Sequence, residues 1–150
     1  MIVRPCHPSD LEGVARVLSE NSMPGSVSGE NCYVAVDRSN LFGIIRFEYG
    51  GEKLYLRPIA VSVEHQNKGV GKLLIETALR LEQELYVISR GEAVSFYQKH
   101  GFTTISWKEV YPPFQEECRQ CIDLHECAPV PLVSYSLEDE RAITGSLFVN

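Results

Sequence analysis

A mixed α/β (α+β) fold, one sheet with helices packed against it, follows from three features of the sequence. A short strand runs straight into an amphipathic helix. Three strand-like stretches joined by tight turns come next, and from residue 59 onward strands and helices alternate. In sheets of this kind ligands bind where neighbouring strands diverge at their carboxyl ends.

Ile2-Val3-Arg4 is the opening strand, and Ser9 or Asp10 caps a helix whose Leu11, Val14, Ala15, Val17 and Leu18 fall at helical spacing. That helix ends near Asn21. The breaker-rich stretch from 22 to 30 reads as a loop. Strands follow at Cys32–Val36, Leu41–Tyr49 and Lys53–Val63, the last two joined by a hairpin at Gly50-Gly51. Gly69 and Gly71 open a helix with Val70, Leu73, Leu74, Thr77, Ala78 and Leu81 inward. Leu85–Ser89 is a buried strand, and Gly91 to His100 a second helix stopped by Gly101. Phe102 to Val110 reads as a strand and 111–129 as an irregular, cysteine-containing segment. Val130 to Leu137 is the last strand, and 138–150 carries no clear pattern.

A chain of 150 residues is expected to form one domain over 1–150. At that length folding removes roughly 70% of the unfolded chain's surface from water, so neither disulfides nor metal are obligatory. No apolar run approaches the ~20 residues of a membrane span. The opening Met1–Pro5 lacks the apolar core of a signal peptide, and five cysteines, an odd number, favour reduced thiols in a cytoplasm. A net charge of −6 argues against nucleic acid as the partner, while allowing one local basic patch for a phosphorylated ligand.

The most informative stretch is Ile59-Ala60-Val61-Ser62-Val63-Glu64-His65-Gln66-Asn67-Lys68-Gly69-Val70-Gly71-Lys72. A buried strand enters a polar turn and then a helix with two glycines in its first turn. Glycines let a ligand approach the backbone, and a helix start offers unpaired N–H donors with a partial positive charge. With Lys68 and Lys72 nearby, that chemistry suits a pyrophosphate. The spacing Gln-x-x-Gly-x-Gly is neither a Walker loop nor a dinucleotide fingerprint. A glycine-rich turn without a ligand fits these residues too.

Gln66-Asn67-Lys68-Gly69-Val70-Gly71 resembles the Gln/Arg-x-x-Gly-x-Gly/Ala acetyl-CoA loop of the GCN5-related N-acetyltransferases (GNAT). Ala93-Val94-Ser95-Phe96-Tyr97-Gln98-Lys99-His100-Gly101-Phe102 resembles that family's second signature, at the usual separation. The resemblance implies a mostly antiparallel sheet of about seven strands, with helices on both faces and one splayed parallel pair. It implies acetyl-CoA as co-substrate, its pantetheine arm bonded to main-chain groups of Ala60, Val61 and Val63. An N–H near Val61 would polarise the thioester carbonyl, and Gln66, Asn67, Lys68, Gly69, Val70, Gly71 and Lys72 would hold the pyrophosphate. Phe96 falls to the cofactor, and Tyr97 to the acid that protonates the departing thiolate as a neutral amine attacks directly. Where the family often has an asparagine, three residues before Ala93, this chain has Arg90.

The general base stays unassigned. Hairpin arithmetic sets Glu48 opposite Lys53 and makes it a surface charge. Arg57 could pair with a substrate carboxylate, and Ser89 could line the pocket. Cys118, Cys121, His125 and Cys127 are four zinc-capable ligands in ten residues. Reduced thiols packed under the last strand are the preferred reading, with no metal. A looser likeness to short amino-acid acetyltransferases of the N-acetylglutamate synthase type points to a small amine, such as an amino acid, as acceptor. The expected partners are therefore a small-molecule amine, without nucleic acid or membrane, and a homodimer is left open. Two alternatives stand beside this: a non-catalytic acetyl-CoA-binding or sensor module, and a protein N-acetyltransferase.

Overall fold

The computed structural model describes residues 1–23 and 28–134. Its elements in chain order are β1 (Ile2–Pro5), α1 (Leu11–Glu20), β2 (Cys32–Asp37), β3 (Asn40–Gly50), β4 (Lys53–Val61), α2 (Val70–Leu81), β5 (Tyr86–Ser89), α3 (Val94–Lys99), β6 (Phe102–Thr104), α4 (Pro112–Arg119), α5 (Leu124–Cys127) and β7 (Val130–Ser134). The seven strands form one sheet in the order β1-β2-β3-β4-β5-β7-β6. The ladders β1–β2, β2–β3, β5–β7 and β6–β7 are antiparallel, and β4 pairs in parallel with β5 at Tyr55↔Tyr86. This is the GNAT-like mixed sheet that the sequence leads one to expect. Among the described residues no helix is long and apolar enough to cross a membrane.

Contacts divide the chain into two compact units, the first Met1–Glu48 with Leu56–Arg80, the second Tyr49–Tyr55 with the chain from Leu81. In the first, Ile44 of β3 clusters with Val14, Val17 and Leu18 of α1. A Cβ placed on the adjacent Gly43 would stand 3.0 Å from Leu74 and 3.1 Å from Val70 of α2. Successive strand residues point to opposite faces, so α1 and α2 cover opposite sides of β3. Asp10 does not cap α1 with its side chain as expected. Its carboxylate instead takes both Arg4 nitrogens, at 2.7 and 3.1 Å, and the His7 N–H at 2.7 Å. The Arg4 guanidinium beside it holds the Asp10 carboxyl below the usual range.

The second unit departs from the sequence reading in two places. The segment 111–129 is not irregular throughout, since it contains α4 and α5. Pro112 and Pro113 occupy the first helical turn, where a missing N–H breaks no helical bond. The strand expected from 102 to 110 stops at Thr104, because the Ser106 hydroxyl accepts from the Lys108 N–H and folds Trp107–Glu109 into a 3-10 turn. The last strand is described as Val130–Ser134, and residues 135–150 lie outside the described chain.

An aromatic cluster anchors this unit. The Tyr55 ring, 1% exposed, meets Phe114 edge-on at 5.0 Å and Tyr86 at 5.4 Å. Its hydroxyl accepts from the Tyr111 N–H at 2.9 Å, tying the start of α4 to β4. Lys53 donates to the Glu109 carbonyl and lies 4.9 Å from the Tyr86 ring centre. Gly50, at the end of β3, fits under these rings only because it lacks a side chain. A Cβ there would stand 2.7 Å from Phe114 and 2.9 Å from Tyr55. Those rings are buried and have no free direction to retreat. Gly50→Ala is therefore expected to destabilise the protein by about 1–3 kcal/mol through overpacking, read as a lower urea midpoint with an unchanged slope.

Candidate active site

The loop singled out by sequence begins where β4 ends, two residues earlier than expected, at Val61. The Ser62 N–H still bonds across to the Phe42 carbonyl at 2.7 Å. The Val61 carbonyl, however, takes two side chains: Asn21 Nδ2 at 2.9 Å and Gln66 Nε2 at 3.2 Å. Gln66 Nε2 also donates to Asn21 Oδ1 at 3.1 Å, and Asn21 Nδ2 to the Val17 carbonyl at 2.8 Å. The end of α1, the end of β4 and the loop thus share one polar knot. Val63 belongs to a 3-10 turn, Val63–His65, and its N–H donates to the Glu20 carboxylate at 3.4 Å.

With Gln66 drawn back to β4, the next residues turn sharply. Asn67 and Gly69 have φ of 62° and 87°. Asparagine tolerates this left-handed region and glycine adopts it without strain. A Cβ on Gly69 would meet nothing within 4 Å, so the glycine is needed for its backbone angle and not for packing. The first bond back along α2 runs from the Leu73 N–H to the Gly69 carbonyl at 3.0 Å. The amides of Val70, Gly71 and Lys72 precede it, at the positive end of the helix dipole. Val70 is buried and anchors the helix, while Asn67, Lys68, Gly69 and Lys72 are exposed. Lys72 lies 4.0 Å from Glu76, an exposed pair too weak to hold it in place. Left-handed turn, uncovered amides and two lysines together make an anion cradle. That is the chemistry a diphosphate requires, and the residues present fit it.

In the second unit, Tyr97 is the buried residue of α3, 5% exposed. Its ring lies 5.2 Å from Phe96 and 5.4 Å from Phe102, and Phe96 also meets His100 at 4.9 Å. Burial pushes the Tyr97 phenol above the usual range, which keeps its proton on at neutral pH. Gly101, φ 89°, stops the helix as expected. Ser89 is buried and donates to the Arg90 carbonyl at 2.7 Å.

Two further expectations change. The turn after β3 uses Gly51 and Glu52, not Gly50 and Gly51. Glu48 is correspondingly no isolated surface charge. Its Oε2 accepts from Arg46 Nη1 at 3.1 Å and Arg57 Nε at 3.3 Å, and Arg46 Nη1 also reaches the Arg57 carbonyl at 3.2 Å. The cysteine segment is partly helical. Cys118 lies in α4 and Cys127 in α5, Cys121 is exposed between them, and His125 is exposed. Among the described residues no three His, Cys, Asp or Glu side chains are grouped to hold a metal ion.

A family model described as acetyltransferase (GNAT) domain matches residues 28–104, just over half of the chain. No curated protein sequence matches. Among solved structures, the chain is similar to N-acetylglutamate synthase from Neisseria gonorrhoeae complexed with coenzyme A and N-acetyl-glutamate. The identity is 19% and the TM-score 0.72, over 89% of this chain and 34% of the synthase. The chain therefore spans about a third of that protein's length. It is also similar to the PaiA N-acetyltransferase from Thermoplasma acidophilum in complex with coenzyme A, at 17% identity and a TM-score of 0.62, over 89% of this chain and 98% of that one. At such identities the likeness is one of fold.

Asn21, Glu20 and Arg46 escaped the sequence reading. The polar knot makes a specific demand on stability. Asn21→Ala is expected to lower it by about 1–2 kcal/mol and Gln66→Ala by less, since Asn21 bonds both the Val17 and Val61 carbonyls in part-buried positions while the Gln66 bonds are exposed. In a double-mutant cycle the two substitutions should couple by about 0.5 kcal/mol or more, measured by urea unfolding.

Proposed function

This chain belongs to the acetyltransferase (GNAT) domain family, an acyltransferase class that uses acetyl-CoA, and on that premise we propose that it acetylates a small primary amine, such as an amino acid, by direct attack in a ternary complex. The observation that carries the proposal is the anion cradle between Gln66 and Lys72, with left-handed Asn67 and Gly69 ahead of α2. The diphosphate of the co-substrate would rest on the amides of Val70, Gly71 and Lys72, with Lys68 and Lys72 supplying charge. Ala60 and Val61 would bond the pantetheine arm as if it were an added strand, and Val63, in the turn beyond β4, would reach it by releasing its N–H from Glu20. Because the Val61 carbonyl already accepts from Asn21 and Gln66, the contact at Val61 would fall on its N–H. We take residues 1–150 to act as one acetyltransferase domain.

The co-substrate supplies a thioester activated for attack; the chain's residues orient it and handle protons. Tyr97 is assigned the proton for the departing thiolate: burial keeps the phenol protonated at neutral pH, as an acid must be, while making it a weaker donor than a free phenol. Phe96 would pack beside the co-substrate. The base that deprotonates the amine is not assigned to a side chain.

The burial of Tyr97 also favours a second reading, a module that binds acetyl-CoA without turnover. One pair of measurements separates the two. With acetyl-CoA and a panel of amines, free-thiol release should appear for the wild type. Tyr97→Phe should lower kcat by about 100-fold or more, while the calorimetric Kd for CoA changes by less than about threefold. Thiol release indifferent to the substitution contradicts the acid role, and CoA binding without release on any amine favours the module.

A further inference from the structure

Resting on the acetyltransferase reading above, we propose that the acceptor carries a carboxylate, and that Arg46 acts with Arg57 as its anchor on the α1 face of the sheet. Arg46 and Glu48 alternate on β3 with Phe47, so they share the face of Ile44, which packs against α1. The Arg46 side chain is 21% exposed and Arg57 27%. A guanidinium keeps its charge at any physiological pH, and withdrawing it from water is unfavourable unless anions or acceptors surround it.

The resident partners leave Arg46 incompletely satisfied. Its Nη1 divides between Glu48 Oε2 and the Arg57 carbonyl, while its Nε is buried with no hydrogen-bond partner. Glu48 contributes a single oxygen, Oε2, to both guanidiniums. A guanidinium is strongest in a two-bond fork on one carboxylate. At Arg46 the geometry is short of that fork, and a second carboxylate beside Glu48 would complete it after a small side-chain adjustment.

The position on β4 matters as much as the chemistry. Arg57 precedes Val61 by four residues, about 13 Å along a strand rising about 3.3 Å per residue. An anchor there lies on the opposite side of Val61 from the loop at Gln66–Lys72. It would hold one end of an acceptor whose amine, a few bonds away, points toward the thioester. Two guanidiniums also repel a polycation, so the site disfavours polyamines and aminoglycosides and favours amino acids or molecules ending in a carboxylate.

The test uses the whole chain with acetyl-CoA and the twenty amino acids, each paired with its decarboxylated amine, plus spermidine. Thiol release should favour at least one amino acid over its decarboxylated partner by about tenfold or more in kcat/KM. Arg46→Gln should raise KM for that amino acid by about tenfold, with kcat falling less than about threefold, and should erase most of the preference; Arg46→Lys should restore part of it. CoA affinity retained in Arg46→Gln shows that the variant is folded. Turnover of amines without regard to a carboxylate, or an Arg46→Gln enzyme with its preference intact, overturns the anchor while leaving the acetyltransferase reading standing. If CoA binds and nothing turns over, the catalytic reading fails. Calorimetric titration of the amino acids into the CoA complex then decides the anchor: binding weakened by Arg46→Gln supports it, and no binding overturns it.

Discussion

The carbonyl oxygen of Val61 is the point on which the loop architecture depends. A strand carbonyl normally continues a ladder or meets water. Here it accepts the amides of Asn21 and Gln66, which ends β4, fastens the last turn of α1 and ties the Gln66 side chain back to the strand. Once Gln66 is fixed, the chain must reverse within three residues to enter α2. The left-handed angles at Asn67 and Gly69 are how it does so. The amides at the start of α2 are therefore presented by a chain of local constraints, beginning with two side-chain amides on one carbonyl oxygen.

Electrostatics of the chain as a whole would not suggest an anion site, since the net charge is −6. Interactions between exposed charges fade beyond about 8 Å at physiological ionic strength, so the local pattern decides. Lys68, Lys72 and the helix dipole act at the loop, and Arg46 and Arg57 act on the α1 face of the sheet. Tyr97, in the second unit, is shaped by burial among Phe96 and Phe102 and by no neighbouring charge that shifts it. Different physical terms thus tune the groups assigned to binding and to proton transfer.

What was legible in the sequence was what is local. Gly69 and Gly71 announce a left-handed turn into a helix because glycine tolerance and helix-start chemistry act within a few residues. The spacing in α1 and α2 likewise reported most of their inner faces, although Leu11, Ala15 and Leu81 are exposed. Contacts made at a distance were not legible. Asn21 meets Val61 across 40 positions, and no periodicity marks such a pair. The role of Glu48 was misread because the hairpin turn sits one residue later than the glycine pair suggests, which changes its partners. The helix α4 was hidden because Pro112-Pro113 looks like a breaker, although proline is at home in a first turn. Tyr55 and Tyr111, 56 residues apart, fix where that helix begins.

The central claim, that uncovered amides at the start of α2 clasp a diphosphate, is tested most directly by backbone amide NMR during titration with CoA and, separately, with pantetheine, which lacks the diphosphate. The account predicts that CoA shifts the amides of Val70, Gly71 and Lys72 most strongly, and that pantetheine leaves these three in place while still moving Val61. Amides from Lys68 to Lys72 that stay unmoved as CoA saturates the protein would contradict it.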